Sequence, residues 1–269
     1  MKIINNKNKL IKLIQSKRNL GFIPTMGAIH DGHLSMIKKA SNQCTETIVS
    51  IFINKPQFNC KNDFLSYPRL LKKDISILRK SKVNYVYLPK TDEIYPNGYN
   101  KKIKISSFKK RLCGKFRPGH FESVVDVIDR FIKIIKPKRI YFGEKDMQQL
   151  KIVEDFIKKN KIKTKLIACK TIRDKNGVAL SSRNLLLTKN QKLIASNIYK
   201  LISREKNNLI KNNKLLKKIK KNIYKFGIDK MEYIKIVDIN KIIKPYRKKN
   251  KFRIFLSYYL GKTRLIDNI

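Results

Sequence analysis

Between residues 20 and 170 the chain alternates short, nearly unbroken apolar runs with segments of helical period, and few architectures accept that alternation. The runs are LGFIP (20–24), TIVSIFIN (47–54), VNYVYLP (83–89), RIYFG (139–143) and TKLIACK (164–170). A strand with one face in water alternates apolar with polar residues; these runs barely do, so they read as strands covered on both faces. Between them, Leu71, Ile75 and Leu78 recur at i, i+4 and i+7, and Val124, Ile128, Phe131 and Ile135 share a helical face before Pro137 ends it. This pattern predicts an α/β fold, a Rossmann-like doubly wound parallel sheet that takes its ligands at the carboxyl ends of the strands. Past residue 185 the texture changes. A long Lys/Asn-rich helical region, QKLIASNIYKLISREKNNLIKNNKLLKKIKKNIYK, precedes two strand-like runs, MEYIKIVDI (231–239) and KFRIFLSYYLG (251–261). Helices followed by strands predict a smaller α+β C-terminal domain, with residues 1–172 forming the first domain and 173–269 a second that closes over the site.

A chain of 269 residues with 42% hydrophobic content can bury two such cores. No apolar run approaches the roughly 18 residues of a membrane span, so no membrane partner is expected. The N-terminus, MKIINNKNKLIKLIQSKRNLGF, lacks an uninterrupted apolar stretch and a small-residue cleavage site and reads as a mature start rather than a signal peptide. Cys44, Cys60, Cys113 and Cys169 are dispersed, with neither a C-x-x-C pair nor a disulfide-like framework, which suits a cytoplasmic protein. The charge is extreme, 64 Lys+Arg against 19 Asp+Glu for a net +45. Such an excess points to nucleic acid, anionic lipid or phosphorylated substrates. The lysines, however, are spread along the whole chain beside abundant Asn and Ile, the residues that AT-rich codons encode. No localised basic block accompanies them, so no nucleic-acid partner is expected.

The chain has three histidines and places two of them three residues apart in TMGAIHDGH (25–33), between LGFIP and the helical-period segment LSMIKKASNQC. That loop joins a strand to a helix, where N–H groups of the helix N-terminus and its positive dipole end can hold a phosphate. Gly27 and Gly32 leave room for a ligand to approach the backbone, and His30 and His33 add donors that can carry positive charge near a departing pyrophosphate. A turn with satisfied surface histidines, or an adventitious metal pair, accounts for the same residues. Three further strand ends carry polar clusters. Asn54 and Gln57 lie in NKPQFN; Gly143, Glu144, Lys145, Asp146, Gln148 and Gln149 lie in GEKDMQQL; Ser181, Ser182 and Arg183 lie in RDKNGVALSSRN. Lys145 could neutralise an α-phosphate, Asp146 could help hold Mg²⁺, Gln149 could hydrogen-bond a small polar substrate, and the serines with Arg183 could grip phosphate oxygens. Each cluster alone is also an ordinary solvated helix start or polar turn. One shared cleft accounts for all four.

IPTMGAIHDGH, VSIFINKPQF, RPGHFESVVDVI, FGEKDMQQL, ALSSRN and GKTRLIDN, in that order and over essentially the whole chain, resemble the successive motifs of the pantothenate synthetase (pantoate–β-alanine ligase) family. The H-x-G-H element alone would implicate only the wider nucleotidyltransferase superfamily. The resemblance implies an AMP-forming ligase that joins pantoate to β-alanine through a pantoyl adenylate, using ATP and Mg²⁺, and that is a homodimer. It further implies an ATP-binding loop of Met26, Gly27, Ala28, Ile29, His30, Asp31, Gly32 and His33, with His33 the proton donor and His30 its neighbour on the phosphates. Gln57 and Gln149 would contact pantoate, Gln57 also meeting the incoming β-alanine. Gly143, Glu144, Lys145, Asp146 and Ile172 would complete the nucleotide contacts, together with Leu180, Ser181, Ser182 and Arg183 of a mobile phosphate-gripping loop. The chain departs from the family pattern at Ser123, where glycine is usual, and at Asp126, where threonine is usual; Lys55 precedes the proline of NKPQF. A Cβ at position 123 either crowds the pantoate side or is absorbed in a helix. Two rival readings exist: another H-x-G-H nucleotidyltransferase, which leaves Gln57 and Gln149 unexplained, and a basic nucleic-acid-binding protein on a degenerate α/β fold, against which the retention of all four polar clusters argues.

Overall fold

The structure, a computed structural model, describes residues 1–100 and 102–269. Among these, six strands, β1 (Lys2–Ile4), β2 (Leu20–Thr25), β3 (Glu46–Ile51), β4 (Tyr85–Tyr87), β5 (Arg139–Gly143) and β6 (Lys165–Cys169), form a sheet of order β1-β4-β3-β2-β5-β6. Every pair in it is parallel. The apolar runs alternate faces at a period of two. Leu20, Phe22, Ile48, Tyr85, Tyr87, Ile140 and Phe142 enter one buried cluster, while Ile23, Val49, Val86 and Tyr141 enter another on the opposite face. The first face is covered by α1 (Lys7–Ile14), by α7 (His120–Ile135) through Val124, Ile128, Phe131 and Ile135, and by α8 (Met147–Lys159). The second is covered by α2 (Asp31–Gln43) and by α4 (Leu71–Arg79) through Leu78. Short helices α3 (Lys61–Ser66), α5 (Thr91–Ile94) and α6 (Cys113–Phe116) fill the connections. The doubly covered parallel sheet is therefore present, with one strand more than the apolar runs predict: β1 is too short to carry a pattern of its own.

From β2 the chain steps outward to β3 and β4, returns to the other side of β2 as β5, and continues to β6. The direction reverses between β2 and β5, so the loops leaving these two strands diverge and open a crevice at their carboxyl ends. The histidine loop follows β2 and the Glu144–Asp146 turn follows β5. Both polar clusters thus flank the crevice for a topological reason.

The remaining chain forms helices α9 (Lys189–Lys211) and α10 (Leu216–Lys225) and an antiparallel sheet of β7 (Lys230–Asp238), β8 (Phe252–Leu260) and β9 (Thr263–Asn268). The Lys/Asn-rich helical region is divided into two helices, because Asn212 ends α9 in an extended conformation and its side chain accepts the N–H of Lys214 to start the next turn. The β7–β9 sheet has two apolar faces. Met231, Ile254, Leu256 and Tyr258 pack with α9 and α10, whereas Tyr233, Val237 and Phe255 join the core beneath α7 and α8. That second face binds the C-terminal sheet to the first sheet's flank, beside the crevice.

Candidate active site

The crevice encloses about 290 Å³ and gathers residues from all four polar clusters, among them Met26, His30, His33, Gln57, Lys145, Asp146 and Gln149. Gly32, Gly143, Ile172, Leu180, Ser181, Ser182 and Arg183 also line it. Five residues expected at the nucleotide do not: Gly27, Ala28, Ile29, Asp31 and Glu144 are outside the lining. Asp31 is exposed at the helix start. Glu144 directs its carboxylate to Arg253 at 2.6 Å.

The histidine loop is held from behind. Asp74, buried in the first turn of α4, accepts the N–H of Ala28 at 2.9 Å and of Ile29 at 2.7 Å. Ala28 has φ +50°, a left-handed conformation that an alanine adopts at a cost of about 1–2 kcal/mol, and these two charge-assisted bonds offset it. Gly27, at φ +83°, is required because a Cβ there would stand 2.9 Å from Asp74 Oδ2, and one on Gly32 would meet the His30 ring at 2.8 Å. The Cβ direction of each glycine is thus taken by one of the protein's own side chains, while Gly32 still lines the crevice. The amide donors are also occupied. Gly32 N–H donates to His30 Nδ1 at 3.1 Å and His33 N–H to the His30 carbonyl at 2.8 Å.

These bonds fix the imidazoles. His30 Nδ1 accepts from Gly32, and His33 Nδ1 accepts a longer bond, 3.4 Å, from the His30 N–H, so in each neutral ring the proton sits on Nε2. The rings lie with centroids 4.1 Å apart. Burial, and then the charge of Lys145, hold His30 at a pKa of about 4; burial, then His30 and Lys145, hold His33 at about 3. Both are therefore neutral N–H donors near pH 7. The fixed cation is Lys145, whose Nζ lies 3.8 Å from Asp146. The C-terminal sheet fixes its turn: the Asn268 side chain donates to the carbonyls of Glu144 (2.9 Å) and Lys145 (2.8 Å), and its own oxygen is held by Arg253.

The ALSSRN segment closes over the same loop. Ser182 Oγ reaches the carbonyls of Gly27 (3.4 Å) and Ala28 (3.3 Å), while Ser181 caps its own turn by accepting Arg183 N–H at 3.3 Å. Arg183 is not a free fork: Asp63 takes its Nε at 3.1 Å and one terminal nitrogen at 2.8 Å, and the guanidinium lies 5.4 Å over the Tyr67 ring.

On the other side of the crevice, Gln57 has a defined orientation. Its Oε1 accepts from Asn54 Nδ2 at 3.1 Å and its Nε2 contacts Met26 Sδ at 3.1 Å, so Nε2–H is the group it can offer to a ligand. Asn54 is itself locked, donating also to the Ser123 carbonyl (3.2 Å) and accepting from Tyr95 OH (2.7 Å). Ser123 lies inside helix α7 with its hydroxyl on the Gly119 carbonyl at 3.0 Å, so its Cβ is absorbed without crowding the cleft. Asp126 is buried and paired with Arg130 at 2.8 Å. Gln148, adjacent to Gln149, instead turns inward and holds Phe108, Arg111 and Cys113 by backbone bonds.

Sequence reasoning assigned no role to Arg117, His120 or Arg264, although RPGH and TRLIDN were legible as motifs. All three line the crevice beside Gln57. Arg264 is paired with Glu232 at 2.6 Å, and Arg117 has no carboxylate partner among the described residues. Burial, then the charges of Arg264 and Arg183, lower the Arg117 pKa to about 10. Two guanidiniums with one carboxylate leave this end of the crevice positive, as Lys145 does the other.

An open parallel sheet with a polar crevice at its reversal point, floored by fixed imidazole donors and a lysine, defines a nucleotide-handling α/β enzyme. The family described as pantoate-beta-alanine ligase matches residues 2–269, and the chain belongs to that family of ligases. Pantothenate synthetase of Thermosipho melanesiensis is 37% identical over 277 residues, covering all of this chain and 99% of that protein. A solved pantoate-beta-alanine ligase from Francisella tularensis, complexed with beta-gamma ATP and beta-alanine, is 37% identical with a TM-score of 0.85, covering 100% of this chain and 97% of that one. Pantothenate synthetase from Thermus thermophilus is 28% identical, with a TM-score of 0.88 and coverage of 100% and 99%. No helix among the described residues is long and apolar enough to cross a membrane.

Proposed function

We propose that the chain condenses (R)-pantoate with β-alanine in two steps that share this crevice, with ATP and Mg²⁺ used in the first. A carboxylate is a poor acyl donor, because its leaving group would be oxide; adenylation replaces that leaving group with AMP. A pantoate carboxylate oxygen attacks the α-phosphorus, the bond to the β-phosphate oxygen breaks, and pyrophosphate leaves with the developing charge. The observation that carries this reading is the pair of Nε2–H donors beside Lys145 at the sheet's reversal point: neutral, oriented donors and one fixed cation suit a leaving pyrophosphate. Ser181, Ser182 and Arg183 approach from the opposite lip.

Pantoate fits between Gln57 and Gln149, whose N–H groups meet its oxygens, while Met26, Phe58, Phe121 and Val124 of the same lining suit its geminal methyl groups. The carboxylate of β-alanine is assigned to the arginine end, where Arg117 lacks an acidic partner among the described residues. Its neutral amine then attacks the acyl carbon, and the tetrahedral adduct expels AMP and a proton to give the amide. Orientation supplies much of that step, because the acyl group is already activated. Among the described residues no three His, Cys, Asp or Glu side chains converge as a metal site, and Asp146 is the half-exposed carboxylate lining the crevice beside Lys145. One carboxylate suits Mg²⁺ bound mainly by nucleotide phosphates, where the ion would neutralise phosphate charge. Residues 173–269 would act as the closing domain, and the enzyme would work as a homodimer in a reducing cytoplasm, as the four free cysteines support.

The adenylate order is tested by isotope exchange. Labelled pyrophosphate should enter ATP when pantoate and Mg²⁺ are present and β-alanine is absent, and adding β-alanine should yield AMP. ADP with an acyl phosphate, or no exchange from folded protein over a range of pantoate concentrations, would overturn the mechanism.

A further inference from the structure

His120, the first residue of α7, is buried at 6% exposure among the groups assigned to the two organic substrates, and the reaction as described gives it no task. Its Nδ1 stands 2.7 Å from the backbone carbonyl of Gln57, which can only accept, so Nδ1 carries the proton. Its Nε2 therefore holds a lone pair, and Arg117 donates to it at 3.0 Å. Arg117 also donates to that same Gln57 carbonyl at 3.0 Å. The result is a closed triangle: one imidazole orients the backbone from which Gln57 projects and the guanidinium left without an acid. Neither His30 nor His33 takes part, and the imidazole has no ring nitrogen left for a ligand.

We infer that His120 is a positioning residue that locks Gln57 to Arg117 and thereby couples the pantoate subsite to the subsite for the amino acid's carboxylate. The inference rests on the assignment of pantoate to Gln57 and of the β-alanine carboxylate to Arg117. Its two nitrogens perform separable tasks. An asparagine amide nitrogen can stand near Nδ1 and keep the bond to the Gln57 carbonyl, leaving Arg117 unheld. A glutamine amide oxygen can reach the place of Nε2 and hold Arg117, leaving the Gln57 carbonyl without its imidazole donor.

The experiment measures full steady-state kinetics and pantoate-dependent pyrophosphate exchange for H120N, H120Q and H120F, with thermal melting to establish that each is folded. H120N should raise KM for β-alanine by on the order of tenfold, with the exchange reaction changed less than about twofold. H120Q should do the converse, raising the pantoate requirement of exchange while largely sparing KM for β-alanine. H120F should show both defects. A generic packing role predicts instead the same loss in all three variants, and that result, or near-native values for both substrates in folded H120F, overturns the proposal. R117A separates this inference from the reading beneath it. If R117A leaves KM for β-alanine unchanged, the carboxylate assignment fails and the coupling with it; if R117A raises it and H120N does not, the role of His120 alone fails.

Discussion

Asp74 touches no part of the crevice, yet its loss should be felt there. Its carboxylate is 1% exposed and each oxygen receives one backbone N–H of the histidine loop, from Ala28 at 2.9 Å and Ile29 at 2.7 Å. In Asp74→Asn the shape is kept, but one acceptor becomes an N–H donor facing another donor, and the remaining bond loses its charge assistance. Leaving a buried amide unpaired costs about 1–3 kcal/mol, and weakening a bond to a charged group costs about another 1, so about 3 kcal/mol is expected. Against a typical total stability of about 5–15 kcal/mol the protein stays folded, with a melting temperature lower by roughly 6–12 °C. The loop should open before the molecule does, because the left-handed conformation of Ala28, φ +50°, is then offset by one weakened bond instead of two charge-assisted ones. With His30 and His33 no longer held at the reversal point, pyrophosphate exchange should fall by about 10- to 100-fold at a temperature where the variant is fully folded. Urea denaturation and the exchange assay measure the two effects separately. A native midpoint would refute the energetic argument, and a lowered midpoint with native exchange would refute the claim that Asp74 organises the catalytic loop.

Lys145→Ala should reduce exchange by on the order of 10²-fold without loss of fold, as for removal of an oriented electrostatic group; near-native exchange would make Lys145 a mere helix-end charge. The rate of exchange should show no histidine ionisation between about pH 6 and 8, since His30 and His33 stay neutral down to about 4 and 3. Their depressed values also fix a sign. The unfolded chain takes up these protons near pH 6.5 and the folded one does not, so stability falls as pH is lowered from there through about 4; an NMR titration of either ring near 6.5 would contradict this. Tyr95→Phe removes the hydroxyl that holds Asn54 Oδ1 at 2.7 Å, and should cost about 1–2 kcal/mol while raising the pantoate requirement of exchange; unchanged kinetics would show that Gln57 keeps its orientation without it. DNA binding, if measured at physiological salt, should be weak and without sequence preference, and one dominant basic groove with tight selective binding would show that the lysine excess has a function.

Why some of this was legible in the sequence and some was not follows from the range of each interaction. The doubly covered strands and the strand-to-helix position of TMGAIHDGH are local patterns, because a period of two or a loop between two periods is written in consecutive residues. The crevice was legible too, since strand ends of a reversing parallel sheet must meet. The groups that aim the side chains were not. Asp74 follows two lysines, one residue before Ile75 on an ordinary amphipathic helix, and bonds 46 and 45 positions away; Asp63 holds Arg183 across 120; His120 meets Gln57 across 63. No periodicity records such distances. The same limit hides two local details of the histidine loop. Glycines in a phosphate-type loop read as room at the backbone, and the sequence does not show that the Cβ directions of Gly27 and Gly32 are taken by Asp74 and His30. Histidines at i and i+3 read as donors able to carry charge; the sequence does not show that this spacing lets each imidazole cap the same helix start, so that a ring accepting a backbone N–H through Nδ1 offers its other nitrogen as the donor. The H-x-G-H spacing is therefore as much a requirement of the cap as of the chemistry. Replacing His30 would disturb the orientation of His33 as well, so a loss of activity in such a variant cannot be divided between the two rings by single substitution; it needs the double-mutant cycle.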